Sequence, residues 1–191
     1  NGSTPDTSNN DFWDGDIAWI TPADMDEFGD IGGGERSITD KGYRACGTSL
    51  LPERSIVIST RAPIGKINCT TAPLCTNQGC KSLVHTGGVS RYFYYLLMCG
   101  QEELIMRGRG TTFIELGTAD LGNLEVSIPP LPEQQAIVAF LDDRCGQIDG
   151  IVADLERQVE ILRQYKKALI TVKGESLNIS NLVNTIINCS N

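Results

Sequence analysis

The chain has 191 residues, 40% of them apolar, with 16 Lys+Arg against 24 Asp+Glu and a formal net charge of −8. That length allows one sizeable core plus an accessory element. The acidic balance argues against general electrostatic attachment to nucleic acid, so any DNA contact must come from a local patch or from a larger assembly.

Residues 1 to 130 alone hold 10 Lys+Arg and 16 Asp+Glu, a balance of −6. No run of about 18 apolar residues exists to span a membrane. Asn1-Gly2-Ser3-Thr4-Pro5 has neither an initiator Met nor the basic-then-apolar pattern of a secretory signal, which reads as a trimmed chain or one begun inside a longer reading frame. Seven cysteines without a CxxC pair, and a single histidine, His85, speak against structural zinc; reduced thiols in a cytoplasmic protein are the simplest reading. Three Asn-x-Ser/Thr triplets, at Asn68, Asn178 and Asn188, are discounted in that setting.

Short β-branched or apolar runs predict strands at 17–20, 55–60, 66–70, 81–84 and 124–128. One good helix interrupts them, from Ser90 to Met106, with Phe93, Leu96, Leu97, Leu104 and Ile105 at helical spacing before Gly108. The expected fold class is α+β, a β-rich domain followed by a long helix. Three polar loops carry distinctive chemistry. Arg61 to Lys66 is a turn with two cations, pinned by Pro63 and Gly65. Cys75 to Lys81 clusters Asn77, Gln78 and Lys81, and Arg107 to Phe113 sets Arg109 on a Gly-rich loop beside Thr111 and Thr112. Arg, Asn and Gln can pair with purine edges, while Lys, Arg and hydroxyls suit phosphates. Each loop also has a plain structural reading: Asn77 to Gly79 as a turn, Arg61 as a donor to buried carbonyls. The acid pairs Asp14/Asp16 and Asp24/Asp26 read as solvated turns.

Pro129, Pro130 and Pro132 then punctuate the start of a helix predicted over Leu131 to Val172. Val138, Leu141, Cys145, Ile148, Val152, Leu155, Val159, Leu162, Lys166 and Leu169 alternate spacings of three and four, the signature of a left-handed coiled coil. At about 1.5 Å per residue the helix forms a rod of about 60 Å. A core helix is the alternative, but such helices average only about 10–14 residues. Gly146 and Gly150 each cost about 1 kcal/mol relative to Ala, which partner packing must offset.

The ordered motifs FWDGDIAWITPADM (12–25), SITDKG (37–42), LLPERSIVISTRAPIGK (50–66), TNQGCKSLV (76–84), GTTFIEL (110–116) and IPPLPEQQAIVAFLD (128–142) resemble the specificity subunit of type I restriction-modification systems across nearly all of residues 1 to 172. The resemblance implies a non-catalytic subunit with two target-recognition domains, each followed by a long helix, the two helices packing antiparallel as a spacer. It implies double-stranded DNA, methyltransferase (M) subunits and, through them, the restriction (R) subunit as partners; S-adenosylmethionine belongs to the M subunits, so no cofactor and no metal are expected here. This chain holds one domain and one helix, which implies a half subunit that dimerises to rebuild the whole. The expected division is a recognition domain at 1–130, a dimerisation arm at 131–173 and a tail at 174–191. The tail resembles the strand that ordinarily precedes the GSTP motif and is expected to complete the partner's domain, with a frayed remnant as the alternative. Candidate DNA contacts are Arg61, Lys66, Asn77, Gln78, Lys81, Arg109, Thr111 and Thr112, then Arg36, Lys41 and Arg44; sequence choice is expected in the less typical stretches 26–48 and 85–92. A regulatory half subunit that binds the methyltransferase without choosing a target is the competing reading. An enzyme is disfavoured, since no methyltransferase Gly-rich loop or nuclease motif can be placed and one histidine leaves little for base catalysis.

Overall fold

The computed structural model describes residues 1–85, 87–110 and 114–176, with the backbone alone at 172–176. The chain divides into two compact units, Asn1–Ala139 and a second that begins at Phe140.

The first unit contains two small sheets. A 3-10 turn, Asn10–Phe12, leads into β1 (Trp13–Ile20), followed by β2 (Phe28–Ile31), β3 (Arg36–Ile38), α1 (Asp40–Ala45), β4 (Ile56–Ser59), β5 (Ile67–Thr70), β6 (Cys75–Thr76) and β7 (Cys80–Leu83). Helices α2 (Ser90–Cys99), α3 (Gln101–Met106) and α4 (Thr118–Gly122) complete it. One sheet has the order β3-β1-β6, the other β2-β5-β4-β7. β4 is antiparallel to both neighbours, whereas β2 runs parallel to β5 and β6 parallel to β1.

The burial pattern explains the arrangement. Every residue of β4 and β5 is buried, as befits Ile-Val-Ile sequence at the centre of a covered sheet. Among the polar residues buried in these strands, Asn68 is 1% exposed; its Nδ2 donates to the carbonyls of Asp26 and Ile67, which leaves no access for glycosylation. β1 sets Trp13 edge-to-face against Trp19, with ring centroids 5.1 Å apart, over Ile38 and Cys75. A bulge in β1 brings both Trp13 and Ile17 opposite Ile38 and holds Asp14 at φ 60°.

Several expectations need correction. Residues 124–128 form no strand: the segment puts Leu124 and Val126 along an apolar cleft beside Phe93 and Leu97, Tyr92 Oη donates to Ser127 O, and no ladder forms before Pro129. The helix expected from Ser90 to Met106 is two helices, because Gly100 leaves the helical region at ψ 8°. Leu97 and Leu104 are buried as the spacing suggested, but Ile105 is exposed. The short strands β2, β3 and β6 and the one-turn helices α1 and α4 were not foreseen, since pieces of two to six residues carry too little periodicity.

The long helix α5 (Leu131–Ser176) spans 46 residues, about 70 Å at the standard rise, and runs four residues past the predicted end. Its first turn starts on Pro130, whose carbonyl accepts from Glu133 N and Gln134 N. Ile148, Val152, Leu155, Val159, Leu162 and Leu169 are 46–64% exposed, so most of the heptad stripe is uncovered in the single chain. The tail residues 177–191 lie outside the described residues.

Gly42 in α1 gives a test of close packing. A Cβ there would come 2.3 Å from Phe12 O, a backbone atom that cannot step aside. Gly42→Ala improves helix propensity by at most about 1 kcal/mol, while overpacking typically costs about 1–3 kcal/mol. Net destabilisation is expected, seen as a lower denaturant midpoint; an unchanged or higher midpoint would refute the contact.

Candidate nucleic-acid interface

All three polar loops meet at Glu115. Arg109 and Glu115 exchange both backbone hydrogen bonds, at 3.0 and 2.9 Å, and Leu116 N donates to Thr60 O at 2.9 Å, so residues 109 and 115 are tied together and onto the residue that directly follows β4. The Glu115 side chain then takes two of the predicted cations: Arg61 Nε donates to Oε2 at 3.1 Å, and Lys81 Nζ lies 3.5 Å from Oε1. Burial by itself would raise the Glu115 carboxyl, but the Arg61 hydrogen bond and charge, followed by Lys81, outweigh it and hold the group below the usual carboxylate range. Arg109 pairs with Asp120 at 3.0 Å yet remains 81% exposed. Thr111 and Thr112 lie outside the described residues.

Three predicted contacts are engaged in holding the fold. Lys66 Nζ donates to Pro22 O at 2.9 Å and Met25 O at 2.5 Å, satisfying carbonyls of the β1–β2 connection. Asn77 Oδ1 accepts from Gly79 N at 2.9 Å while Asn77 N donates to Ile20 O, so the Asn-Gln-Gly segment is the turn that carries the chain from one sheet to the other. Lys81 is 7% exposed. Gln78 is exposed and accepts from Thr4 Oγ1.

The second group lies around β3 and α1. Arg36 stacks on Trp13, its guanidinium carbon 3.4 Å from the ring centroid. Lys41 pairs with Asp11 at 3.3 Å and Arg44 with Asp40 at 2.8 Å, all four side chains largely exposed. Such surface pairs are worth about 0–1 kcal/mol, so a phosphate can displace them. Thr39 caps α1: its Oγ1 accepts from Gly42 N and donates to Asp11 O. In the stretch 85–92, His85 hydrogen-bonds Ser90, and Arg91 pairs with Asp30 and lies over Tyr94.

Residues not singled out from sequence hold these groups in place. Gly2 and Ser3 bind the sheet-to-sheet turn: a Cβ on Gly2 would sit 1.9 Å from Asn77 O, and Ser3 N donates to Thr76 O. The two indoles fix the same segment, Trp19 Nε1 to Ser3 O and Trp13 Nε1 to Asp6 O. Gln134, 3% exposed, accepts from Val89 N and donates to Pro129 O, which ties the first turn of α5 to the start of α2. A lone Gln or Glu inside a motif gives no such signal from sequence; a buried amide or a shared carboxylate shows only once its partners are placed. The thiols of Cys75 and Cys80 are fully buried and pushed up by that burial to about 11 and about 12, which leaves them unreactive.

Glu115 carries a pH-dependent prediction. Its folded pKa lies below the ordinary 4.5, so its contribution is fully present above that value and is lost as pH falls through the folded one. Glu115→Gln should destabilise the chain by roughly 1 kcal/mol at pH 7, a figure kept small because solvent screens the partly exposed carboxylate. The gap from the parent should close in acid; a gap that stays constant in urea melts at successively lower pH would show that the charge is irrelevant.

A family model described as the type I restriction modification DNA specificity domain matches residues 1–161. The MjaIX specificity subunit of Methanocaldococcus jannaschii is 38% identical over 168 residues, covering 85% of this chain and 38% of that protein. The EcoR124I/EcoR124II specificity subunit of Escherichia coli is 27% identical over 174 residues, covering 86% and 43%. The chain thus spans about two fifths of the length of these relatives. Two solved structures share the fold. One, from work on complex assembly and conformational transition of the type I R-M system, superposes with a TM-score of 0.68 at 24% identity over 85% of this chain and 39% of its own. The other, the HsdS subunit from Thermoanaerobacter tengcongensis, gives 0.59 at 23% identity over 82% and 35%. With the family model matched over residues 1–161, the chain belongs to the type I restriction modification DNA specificity family.

Proposed function

We propose that the chain is a DNA-recognition and scaffolding subunit that reads one half of a bipartite site and docks methyltransferase subunits. Residues 1–130 form the recognition domain in this reading, and α5 is the spacer and dimerisation arm. The observation that carries it is the conjunction of the family match with a 46-residue helix whose apolar stripe is exposed in the single chain.

Two features of α5 favour an antiparallel homodimer. From Leu131 to Glu156 the helix has six acidic residues and one basic, Arg144; from Arg157 to Lys173 it has five basic and one acidic, Glu160. Antiparallel pairing sets the acidic half of each helix against the basic half of the other, whereas parallel pairing opposes like charges. The seam also closes on itself: with Val152 facing the partner's Leu155 at the centre, Ile148 faces the partner's Val159, Cys145 the partner's Leu162, and Val138 the partner's Leu169. A two-fold dimer of this kind would present two identical heads to inverted half-sites.

For DNA contact, exposure favours Arg36, Lys41, Arg44, Arg61, Gln78 and Arg109. Lys66, Asn77 and Lys81 serve architecture in this reading, since moving them onto DNA would orphan buried partners.

Three measurements test the proposal. The chain should show twice its own mass in solution, and Leu155→Glu, at the centre of the seam, should give a folded monomer; a parent that is monomeric at micromolar concentration would overturn the dimer. Combined with its methyltransferase, the chain should direct methylation to one interrupted palindrome, and modification of no reproducible site would favour the regulatory reading. In that complex Arg109→Ala should lower the slope of log K against log salt by about 0.9 for each head engaged, the counterion release of one phosphate.

A further inference from the structure

We propose that Arg36 reads a guanine edge in the major groove and so helps to set the sequence recognised; this deepens, and rests on, the DNA-recognition reading above. Residues 1–130 hold ten Lys and Arg, all of them described. Eight are ion-paired with Asp or Glu, and Lys66 is bound to two carbonyls. The side chain of Arg36 alone among these described residues has neither a carboxylate nor a carbonyl partner; it lies over the face of Trp13.

That stacking is a presentation device. Trp13 is 5% exposed, its indole N–H donates to Asp6 O and its ring is braced edge-to-face by Trp19, so the platform is held from two sides. A guanidinium laid flat on it keeps its in-plane donors unused and much of its rotamer freedom already spent, which lowers the cost of ordering it on a ligand. Beyond Glu35, the preceding Gly32-Gly33-Gly34 run carries no side chain that could bar a groove edge.

An arginine fork fits either O6 and N7 of guanine or two phosphate oxygens. Local charge separates these acceptors. Residues 11–40 contain nine Asp and Glu and one basic residue, Arg36 itself. Asp14 and Asp16 lie on β1 beside β3, and Glu35 and Asp40 flank β3 in sequence. A phosphate brought to Arg36 would enter that negative field with a full charge, whereas a guanine edge brings none. The position also falls in the 26–48 stretch, outside the recurring motifs that hold the architecture.

The test is selection from a pool of duplexes randomised in their central positions, with the full chain assembled with its methyltransferase, for the parent, Arg36→Ala and Arg36→Lys. The parent should enrich a G·C pair at one position of each half-site. Both variants should lose that preference by roughly 5- to 150-fold, the range of a bidentate arginine–guanine pair, with the other positions and the salt slope unchanged. Arg36→Lys keeps the charge and loses the fork, so retention of the preference by this variant would overturn the proposal. A variant slope reduced by about 0.9 per head, with base preferences intact, would make Arg36 a phosphate contact and overturn it as well. A parent that enriches no sequence would overturn the recognition reading together with the proposal, and is distinguishable from the other failures because the variants play no part in it.

Discussion

Four residues, Thr76 to Gly79, carry the chain from the three-stranded sheet to the four-stranded one, and most of the head is tied to them. Asn77 N bonds the end of β1, Thr76 O accepts from both Ser3 N and Thr48 Oγ1, and Gly79 O accepts from both the backbone and the hydroxyl of Thr60. Asn77 Oδ1 closes the turn on Gly79 N. The two sheets share a buried cluster in which Ile20 of β1 packs with Ile31, Val57 and Cys80, and the turn adds a covalent link whose backbone groups are paired. The same constraint explains why polar residues that resemble base readers in sequence recur there: Asn77 shapes the turn, and Lys81, just beyond it, is held by Glu115.

Charge is distributed with matching economy. A head with a balance of −6 cannot hold DNA by its overall field, and most of its cations are already neutralised by neighbouring acids. Exposed pairs such as Lys41 with Asp11 can yield to phosphate at little cost, whereas the Arg61–Glu115–Lys81 cluster is anchored through backbone as well as side chain. In the DNA-recognition reading proposed above, a surface of this kind disfavours indiscriminate binding and leaves affinity to whatever fits a particular duplex, with the proposed assembly partners able to contribute further phosphate contacts.

The long helix answers to a different constraint. Gly146 and Gly150 weaken it, and its apolar stripe faces solvent in the single chain, so its order and its solubility both call for a covering partner. In the antiparallel reading the rise per residue becomes a distance between two heads, and helix length fixes the gap between the half-sites they touch.

The sequence by itself determined what depends on period and local chemistry. The heptads from Val138 to Leu169, the proline stop before Leu131, the strands at 17–20, 55–60, 66–70 and 81–84 and the order of the motifs are all legible residue by residue, because side-chain spacing maps directly onto helix and strand geometry. Tertiary structure alone decided which polar residues are spent inside the fold. Lys66 on two carbonyls, Gln134 across Val89 and Pro129, Glu115 between two cations and Arg36 on Trp13 each depend on partners distant in sequence. The 124–128 run failed as a strand for the same reason, since alternation describes a strand's faces and says nothing about whether a neighbouring strand is present to complete the ladder.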